Sequence, residues 1–355
     1  MKIAAVTLKP CTQALADPQW KFARAQVPRL EGWVLCLRDD DGNEGLGYCH
    51  AIPAISTHGE GARAGLEFLT RGLIGRPVDD LAGTMEEISA TLAYQPTVKA
   101  AIDMALHDLL ARRLGVPVHV LLGGKLRDEV ALSRILPIKA PQEMAAMAER
   151  LAAEGYGQLK LKLSGETELD VERVAQVRAA VGPSVVLTLD PNQSYNAKQM
   201  IAAFRRMERH DIALIEQPVP AADVAGLALL TRTLPAAIEA DESAQSVRDV
   251  FRLVSERAVD VINLKITNLG GIRSFQQAVR VCEAGEVGCR MGAAFGPALL
   301  QAMSLQAACT VRKLPFGCEL SEHLHLKDDP FTPLPVHQGR LRLPDAPGCG
   351  VRYRG

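Results

Sequence analysis

The sequence has almost no net charge, with 40 lysines and arginines against 41 aspartates and glutamates. Proteins that bind nucleic acid or anionic membranes usually carry an excess of positive charge, so we expect neither partner. No run of about 18 apolar residues is present that could span a bilayer. The apolar stretch at Met1 ends at Lys9-Pro10 and is too short for a signal peptide. We therefore expect a cytoplasmic protein.

Two other signals are missing. The eight cysteines are scattered, with no Cys-x-x-Cys pair. In a chain of this size that distribution indicates reduced, buried thiols; a disulfide framework is not expected. No Gly-x-Gly-x-x-Gly follows a predicted strand, and Gly123-Gly124-Lys125 lacks the spacing of a phosphate-binding loop. Dinucleotide and nucleotide binding are therefore not predicted.

The chain is long enough for a barrel-sized domain and a smaller one, since it has 355 residues of which 48% are hydrophobic. Residues 1–124 contain strand patterns at Met1–Thr7 and Trp33–Arg38 and a helix that starts near Pro96, with Thr97 as its N-cap. Residues 125–325 alternate strand and helix patterns, with eight strands counted from Val130. This alternation favours an α/β fold with a closed parallel barrel, a TIM barrel, over an open doubly wound sheet. Residues 326–355 are predicted to return and pack on the first domain.

Charged residues end five of the short apolar runs in the predicted barrel. They are Lys160 and Lys162, Asp190, Glu216, Asp241 and Lys265, and successive groups are 24 to 28 residues apart. In a parallel barrel the carboxyl ends of the strands form the catalytic face. We therefore expect these side chains to converge on one site.

The three carboxylates Asp190, Glu216 and Asp241 indicate a metal site. Three negative charges cannot share a small space without a cation to offset their repulsion. Oxygen ligands suit a hard divalent ion, so Mg²⁺ is the first choice and Mn²⁺ is possible. Ordinary solvated acids are the alternative for each residue alone, but three in register favour the metal.

The lysines are predicted as catalytic residues. A bound divalent cation disfavours the charged form of a nearby ammonium, so a lysine beside it can act as a base. Lys162 and Lys265 lie on the second and sixth strands, nearly opposite each other, where they can reach the two faces of one α-carbon. Lys160 points to the same side as Lys162 and can contact a substrate carboxylate or favour the unprotonated form of Lys162. The alternative is a pair of surface lysines, but charge inside an apolar strand is rare unless it is used.

Four further residues are predicted to bind substrate or support the site. Asn192 follows Asp190 by two residues and can hydrogen-bond a ligand or a lysine. Glu242 is a possible partner of Lys265. Arg290 is a candidate contact for an anion and Glu319 for a cationic substrate group, with a surface salt bridge as the alternative for both.

These motifs resemble the enolase superfamily, and specifically the muconate lactonizing enzyme-like subgroup of its mandelate racemase/muconate lactonizing enzyme family. The resemblance rests on Lys160-Leu-Lys162, Asp190-Pro-Asn192, Glu216-Gln-Pro218, Asp241-Glu-Ser243 and Lys265, and on the stretch from Ala101 to Gly124. It implies a modified (β/α)7β barrel under an α+β capping domain that the N-terminal region and the C-terminal tail form. It also implies Mg²⁺ at the three carboxylates, Lys162 and Lys265 as the acid/base pair, and the superfamily's metal-stabilised enediolate.

The resemblance also bears on the substrate. Relatives that epimerise dipeptides tend to carry Asp-x-Asp on the eighth strand, where this chain has Glu319-Leu-Ser321. The strand-seven segment Arg290–Ala294 lacks an acid that many relatives carry. Segments 13–28 and 50–60 resemble the two capping loops that close over substrate, and we expect them to set specificity.

The sequence is compatible with several functions. The first hypothesis is removal of the α-proton of a small carboxylate by a racemase, epimerase or dehydratase acting on an amino-acid or hydroxy-acid derivative. Cycloisomerisation of a muconate-like diacid is the second. A metal-free Schiff-base aldolase and a non-catalytic carboxylate-binding protein are alternatives of other classes. The expected partner is the small carboxylate, and we expect a homo-oligomer.

Overall fold

The computed structural model describes residues 1–292 and 294–354, which form a cap and a barrel. Ala293 in the strand-seven segment and Gly355 at the end of the predicted tail lie outside the described residues.

The cap is built on an antiparallel sheet. Its strands are β1 (Ile3–Pro10), β2 (Gln13–Ala14), β5 (Arg29–Asp39) and β6 (Glu44–Ala51), and a separate small hairpin comprises β3 (Lys21–Phe22) and β4 (Ala25–Gln26). Strand β5 is central and pairs with β1, β2 and β6. In the turn between β5 and β6, Asp39 Oδ1 accepts hydrogen bonds from the amides of Asp41 and Asn43 at 3.0 and 2.8 Å.

Four helices complete the cap. They are α1 (Gly59–Thr70), α2 (Leu81–Thr91), α3 (Pro96–Leu114) and α4 (Val118–Leu121). The predicted Thr97 N-cap is wrong, because Pro96 already occupies the first turn, where its fixed φ suits a helix. Helix α3 packs directly on β6, and a Cβ at Gly47 would lie 1.9 Å from the Ala101 carbonyl oxygen. Glycine is therefore required at that close approach.

A short strand that pairs with the C-terminal tail precedes the barrel. The predicted strand from Val130 to Leu136 is two strands, β7 (Glu129–Ala131) and β8 (Ser133–Leu136), and only β8 joins the barrel. The other parallel strands are β9 (Gln158–Lys162), β10 (Val186–Asp190), β11 (Ile212–Glu216), β12 (Ala237–Ala240), β13 (Val261–Leu264) and β14 (Gly288–Met291). They are paired in sequence order from β8 to β14.

Helices follow the strands on the outside of the barrel. They are α5 (Pro141–Ala153), α6 (Thr167–Val181), α7 (Ala197–Met207), α8 (Val224–Thr233), α9 (Val247–Ser255), α10 (Ile266–Leu269), α11 (Ile272–Ala284) and α12 (Ala298–Ala308), with 3-10 turns at Glu208–His210 and Glu322–His325. Helix α10 was not predicted, because four residues are too few to show a helical period.

The eighth strand closes the barrel through isolated bridges. The segment predicted as Gly317–Leu320 pairs in parallel through Cys318 with Leu132 on one side and through Glu319 with Gly292 on the other. The Glu319 amide donates to the Met291 carbonyl at 2.9 Å. The modified barrel under an α+β cap is therefore confirmed.

The tail contacts both parts of the molecule. It contains the hairpin β15 (Val336–His337) and β16 (Arg340–Arg342), and β16 pairs with β7. Beyond the hairpin, Arg112 of α3 donates to the Val351 carbonyl at 2.7 Å, so the tail also packs on the cap. The exact domain boundaries at 124 and 325 remain predictions.

The cysteine prediction is confirmed, since all eight thiols are free and buried. Across the described residues, none of the helices combines the length and the hydropathy that a membrane crossing requires.

Candidate active site

The structure brings the six predicted strand-end residues to one face of the barrel. Lys160 and Lys162 lie two residues apart on β9 and share one face of the strand, as the period of two requires. Asp190 and Glu216 are the last residues of β10 and β11, and Asp241 and Lys265 directly follow β12 and β13. None of the six is an exposed surface side chain, so the surface-lysine and solvated-acid alternatives are wrong.

The lysines are ion-paired with the carboxylates. Lys160 Nζ lies 3.0 Å from Asp190 Oδ2, 2.8 Å from Glu216 Oε2 and 2.6 Å from Glu319 Oε1. Lys162 Nζ lies 2.5 Å from the same Asp190 oxygen. Lys265 Nζ lies 2.5 Å from Asp241 Oδ2. Each predicted base is therefore held against a predicted metal ligand.

The protonation of these groups reflects burial and crowding. Burial raises the pKa of Glu216 to about 7, and the neighbouring carboxylates of Asp190 and Glu319 add to this effect. Burial also raises the pKa of Asp241 to about 6, although Lys265 opposes the rise. Burial lowers the pKa of Lys160, but its three carboxylate partners outweigh that effect and hold the pKa well above its usual value.

The three predicted metal ligands fit a divalent cation chemically. Within the described ranges no three His, Cys, Asp or Glu side chains form a ready group for a metal ion, since lysines lie between these carboxylates. Asp241 Oδ1 is nevertheless buried and accepts no hydrogen bond from a described residue. Burial raises the pKa values of Glu216 and Asp241, and a cation bound here would favour their charged forms. Hard oxygen donors of this kind suit Mg²⁺ or Mn²⁺.

A second layer of charge lies beneath these residues, inside the barrel. Arg290 on β14 is fully buried and donates to Glu216 Oε2 at 3.2 Å and to Glu239 Oε2 at 2.8 Å. Its Nη2 also lies 3.0 Å from Glu319 Oε1. The surface salt bridge considered for Arg290 and Glu319 is therefore wrong, because both side chains point into the barrel interior.

Asn192 and Glu242 form the next contacts around the lysines. Asn192 Oδ1 accepts a hydrogen bond from Lys162 at 2.9 Å, and its amide nitrogen donates to Glu242 Oε1 at 3.3 Å. The structure does not pair Glu242 with Lys265. The Lys265 ammonium forms an ion pair with Asp241 instead. Glu242 thus supports Asn192 on the Lys162 side of the site.

Gln217 connects two of the strand ends. It is fully buried, with φ at +37°, and its Oε1 accepts from the backbone amides of Asp241 and Ser243, each at 3.0 Å. These bonds fix the loop that carries Asp241 to the end of β11. The sequence shows Gln217 only as part of the Glu216-Gln-Pro218 motif, and its amide role was not predicted.

A cavity of about 410 Å³ lies above these residues, between barrel and cap. This volume falls in the usual range for small-molecule sites. The three lysines predicted as catalytic residues, Asp241 and Glu319 line it, as do Asn192 and Glu242. Arg290 is not among the described residues that line it, so its predicted anion contact is not supported by its position.

Both predicted capping segments reach the cavity. Trp20, Phe22 and Arg24 line it from segment 13–28, and Ala54 and Ile55 line it from segment 50–60. The Lys162 ammonium lies 5.7 Å from the centre of the Phe22 ring.

Segment 13–28 is joined to the barrel by backbone hydrogen bonds and by an ion pair. The Ala16 amide donates to the His325 carbonyl at 2.8 Å, and the Ile138 amide donates to the Lys21 carbonyl at 3.1 Å. Lys139 Nζ lies 2.9 Å from Asp17 Oδ2. The segment therefore covers the cavity in the conformation observed.

Sequence reasoning missed several residues of the cavity. Glu322 lines the wall beside the eighth strand, and Asn268 and Gln245 line the side near Lys265. Glu322 directly follows Ser321 in the sequence, but a 3-10 turn of four residues is too short to show a side-chain period from which its direction could be predicted. Glu239 lies inside an apolar run and not at its end, so the sequence did not indicate its contact with Arg290.

Two family descriptions cover most of the chain. "Mandelate racemase / muconate lactonizing enzyme, N-terminal domain" matches residues 6–123, and "Enolase C-terminal domain-like" matches residues 143–354.

Characterised relatives of two kinds are similar to the whole chain or most of it. The L-Ala-D/L-Glu epimerase of Bacillus subtilis is 30% identical over 99% of this chain and 97% of its own length. Muconate cycloisomerase 1 of Rhodococcus opacus is 32% identical over 79% of this chain and 76% of its own. The structure of a dipeptide epimerase from Enterococcus faecalis, complexed with Mg and L-Leu-L-Tyr, aligns with a TM-score of 0.96 at 27% identity and covers 99% of this chain and all of that one.

Proposed function

The chain belongs to the mandelate racemase/muconate lactonizing enzyme family of the enolase superfamily, and on this premise we propose that it is a Mg²⁺-dependent racemase or epimerase. Enzymes of this kind are isomerases that remove a proton from the α-carbon of a small carboxylate.

The placement of Lys162 and Lys265 is the observation that carries the proposal. Lys162 lies on β9 and Lys265 follows β13, with three strands between them, and both side chains line the cavity. Inverting a carbon centre by proton transfer needs a base on one face and an acid on the other. Lysines on opposite walls meet this need, whereas removal of a proton without inversion needs only one.

The carboxylates supply the metal part of the proposal. Asp190, Glu216 and Asp241 would hold Mg²⁺, with Mn²⁺ as a possible substitute. When bound, the ion supplies a Lewis acid that polarises the substrate carboxylate and stabilises the negative charge left after proton removal. Lys160 keeps two of these carboxylates in place, since its ammonium contacts both Asp190 and Glu216.

The chain's own residues then perform the proton transfer. One lysine takes the α-proton on its Nζ, and the other delivers a proton to the opposite face. Asn192 orients Lys162 through its 2.9 Å hydrogen bond, and the phenyl ring of Phe22 covers it. The closed segment 13–28 keeps bulk water away from the carbanion, which water would protonate without stereochemical control.

Cycloisomerisation of a diacid is the second candidate, favoured by the similarity to muconate cycloisomerase 1. The exposed guanidinium of Arg24 at the cavity provides a cation for a second carboxylate. A Schiff-base aldolase fits less well, because Lys160, Lys162 and Lys265 are all ion-paired with carboxylates.

Exchange of the α-proton with solvent deuterium tests the proposal. The protein is incubated with MgCl₂ in D₂O with amino acids, N-acyl amino acids, dipeptides and hydroxy acids, and proton NMR and chiral chromatography follow exchange and inversion. We expect exchange and inversion together, both abolished by EDTA and restored by Mg²⁺ or Mn²⁺. Absence of exchange throughout the panel would reject the proposal. Lactone formation from a muconate without exchange elsewhere would favour the second candidate, and borohydride trapping of a substrate on lysine would favour the aldolase.

A further inference from the structure

Glu322 is a buried carboxylate that faces the cavity. It opens the 3-10 turn Glu322–His325 that follows the eighth strand, and only 1% of its surface is exposed. It lines the same cavity as Lys162 and Lys265. Its Oε1 is buried and has no hydrogen-bond partner in the part of the chain that the structure describes.

No described lysine or arginine forms an ion pair with this carboxylate. The basic group in its reach is His325, whose Nε2 lies 3.9 Å from Glu322 Oε2. Burial, aided by the charge of Arg134, holds the pKa of His325 well below its usual value, so that ring is neutral. The guanidinium of Arg134 is engaged elsewhere, since it donates to the Ser321 carbonyl at 3.0 Å and to His325 Nε2 at 2.8 Å.

The lack of a partner affects the carboxyl group itself. Burial raises the pKa of Glu322 to about 7; the charges of Arg134, Lys160 and Lys162 oppose the rise, and Glu319 adds to it. A buried ionised carboxylate is stable only when it is paired or well hydrogen-bonded. A cation that enters the cavity would therefore provide what the folded protein does not.

The other acids in the cavity are in different situations. Glu319 is paired with Lys160 at 2.6 Å and with Arg290 at 3.0 Å. Asp241 is paired with Lys265. Glu242 is half-buried and accepts from Asn192. Glu322 is therefore the cavity acid, among the described residues, that is both buried and without any hydrogen-bond or lysine or arginine partner.

We propose that Glu322 binds a positively charged group of the substrate, an ammonium or a guanidinium, and so selects carboxylates that also carry a cation. The inference rests on the proposed function, because it assumes that the carboxylate end of the same molecule lies between Lys162 and Lys265. It narrows the substrate class to zwitterionic amino-acid derivatives, either peptides with a free amino terminus or N-acylated amino acids with a basic side chain.

Two matched pairs of probes test this selection. L-Ala-L-Ala is compared with N-acetyl-L-Ala-L-Ala, and α-N-acetyl-L-arginine with α-N-acetyl-L-citrulline, each pair differing by one positive charge. We expect the wild-type enzyme to exchange the cationic member of at least one pair at least about tenfold faster in kcat/KM. In Glu322→Gln, kcat/KM for that member should fall about 10- to 100-fold, mainly through KM, as expected for loss of a charged hydrogen bond. For the neutral member, kcat/KM should change by less than about twofold.

Two further variants are needed as controls. Glu322→Asp keeps the charge and should retain part of the preference. Glu149→Gln removes an exposed charge on α5 and should leave kcat/KM for both members of each pair unchanged. Thermal unfolding of each variant shows whether it is folded.

The outcomes separate the inference from the proposed function. Equal rates for both members of each pair, or equal losses for both in Glu322→Gln, would overturn the inference and leave the proposed function standing. Exchange of other panel carboxylates with no exchange of the four probes would have the same meaning. Absence of exchange with every carboxylate tested would overturn both.

Discussion

The Lys265 ammonium nitrogen lies 2.5 Å from Asp241 Oδ2, so a proposed base and a proposed metal ligand form one buried ion pair. The same holds across the cavity, where Lys162 contacts Asp190 at 2.5 Å. An ammonium and a divalent ion that contact the same carboxylate compete for its negative charge. Metal binding and lysine protonation should therefore oppose each other in this site.

This opposition predicts that Lys265→Met leaves Mg²⁺ affinity intact or raises it, while racemisation is lost. The methionine is close in length but has no charge to compete for Asp241. Isothermal titration calorimetry on the purified variants measures the affinity. Lys198→Met, on the exposed side of α7, is the matched control and should resemble the wild type. A weaker Mg²⁺ affinity in Lys265→Met alone would contradict the competition.

The metal assignment predicts that Asp241→Asn weakens Mg²⁺ binding by at least about tenfold, since an amide oxygen lacks the charge that a hard cation favours. Mg²⁺ should also raise the melting temperature of the wild type and not that of the variant, because a ligand that binds only the folded state stabilises it. Differential scanning fluorimetry with increasing MgCl₂ measures this. Asp345→Asn, exposed in the tail, serves as control. An unchanged response in Asp241→Asn would remove this residue from the metal site.

Gly292 is predicted to keep Lys265 in position. A Cβ at this residue would lie 2.8 Å from Lys265 Cε and 2.2 Å from Asn263 Oδ1, so Gly292→Ala must displace one of them. Because a misplacement of about 1 Å at a catalytic group can cost about 100-fold in rate, we expect a fall in kcat of that order with the fold retained. Gly157→Ala, where an added Cβ meets nothing within 4 Å, is the matched control. Full activity in Gly292→Ala would show that the lysine tolerates the shift.

His50 in the cap is predicted to make stability depend on pH. Burial, and to a lesser extent the charge of Lys265, lowers the pKa of His50 to about 4. In the unfolded chain His50 is protonated below about pH 6.5, whereas in the folded protein it stays neutral down to about pH 4. The folded state is therefore not disfavoured by this histidine above pH 6.5, and it loses stability as the pH falls from 6.5 towards 4. The free energy of unfolding from urea titrations should therefore fall by about 2 kcal/mol more between pH 7 and pH 5 in the wild type than in His50→Gln. His337→Gln, an exposed histidine, should behave as the wild type, and identical pH slopes in all three proteins would contradict the assignment.

The barrel and the strand-end residues could be predicted because their signals are local. Each of Asp190, Glu216 and Lys265 stands where an apolar run ends, and the order of parallel strands brings such ends together. The eighth strand was harder to delimit, since Cys318 and Glu319 pair only through isolated bridges.

The contacts that set the chemistry could not be predicted from the sequence. Whether Arg290 points into the barrel or towards solvent depends on the shear of the whole sheet, which no single strand reveals. The competition of Lys265 with a metal depends on a side-chain distance. The direction of the Glu322 side chain depends on a four-residue turn that is too short to show a period in the sequence. These features come from tertiary packing, and the sequence indicated only the residue types.

The most direct test of the two-lysine account is α-proton exchange from each enantiomer of one substrate in Lys162→Ala and Lys265→Ala. With Mg²⁺ in D₂O, neither variant should invert the substrate. Each should still exchange the proton of a single enantiomer, the one whose α-proton faces the remaining lysine, and the two variants should differ in which enantiomer that is. Loss of exchange from the same enantiomer in both variants, or full racemisation by either one, would contradict the account.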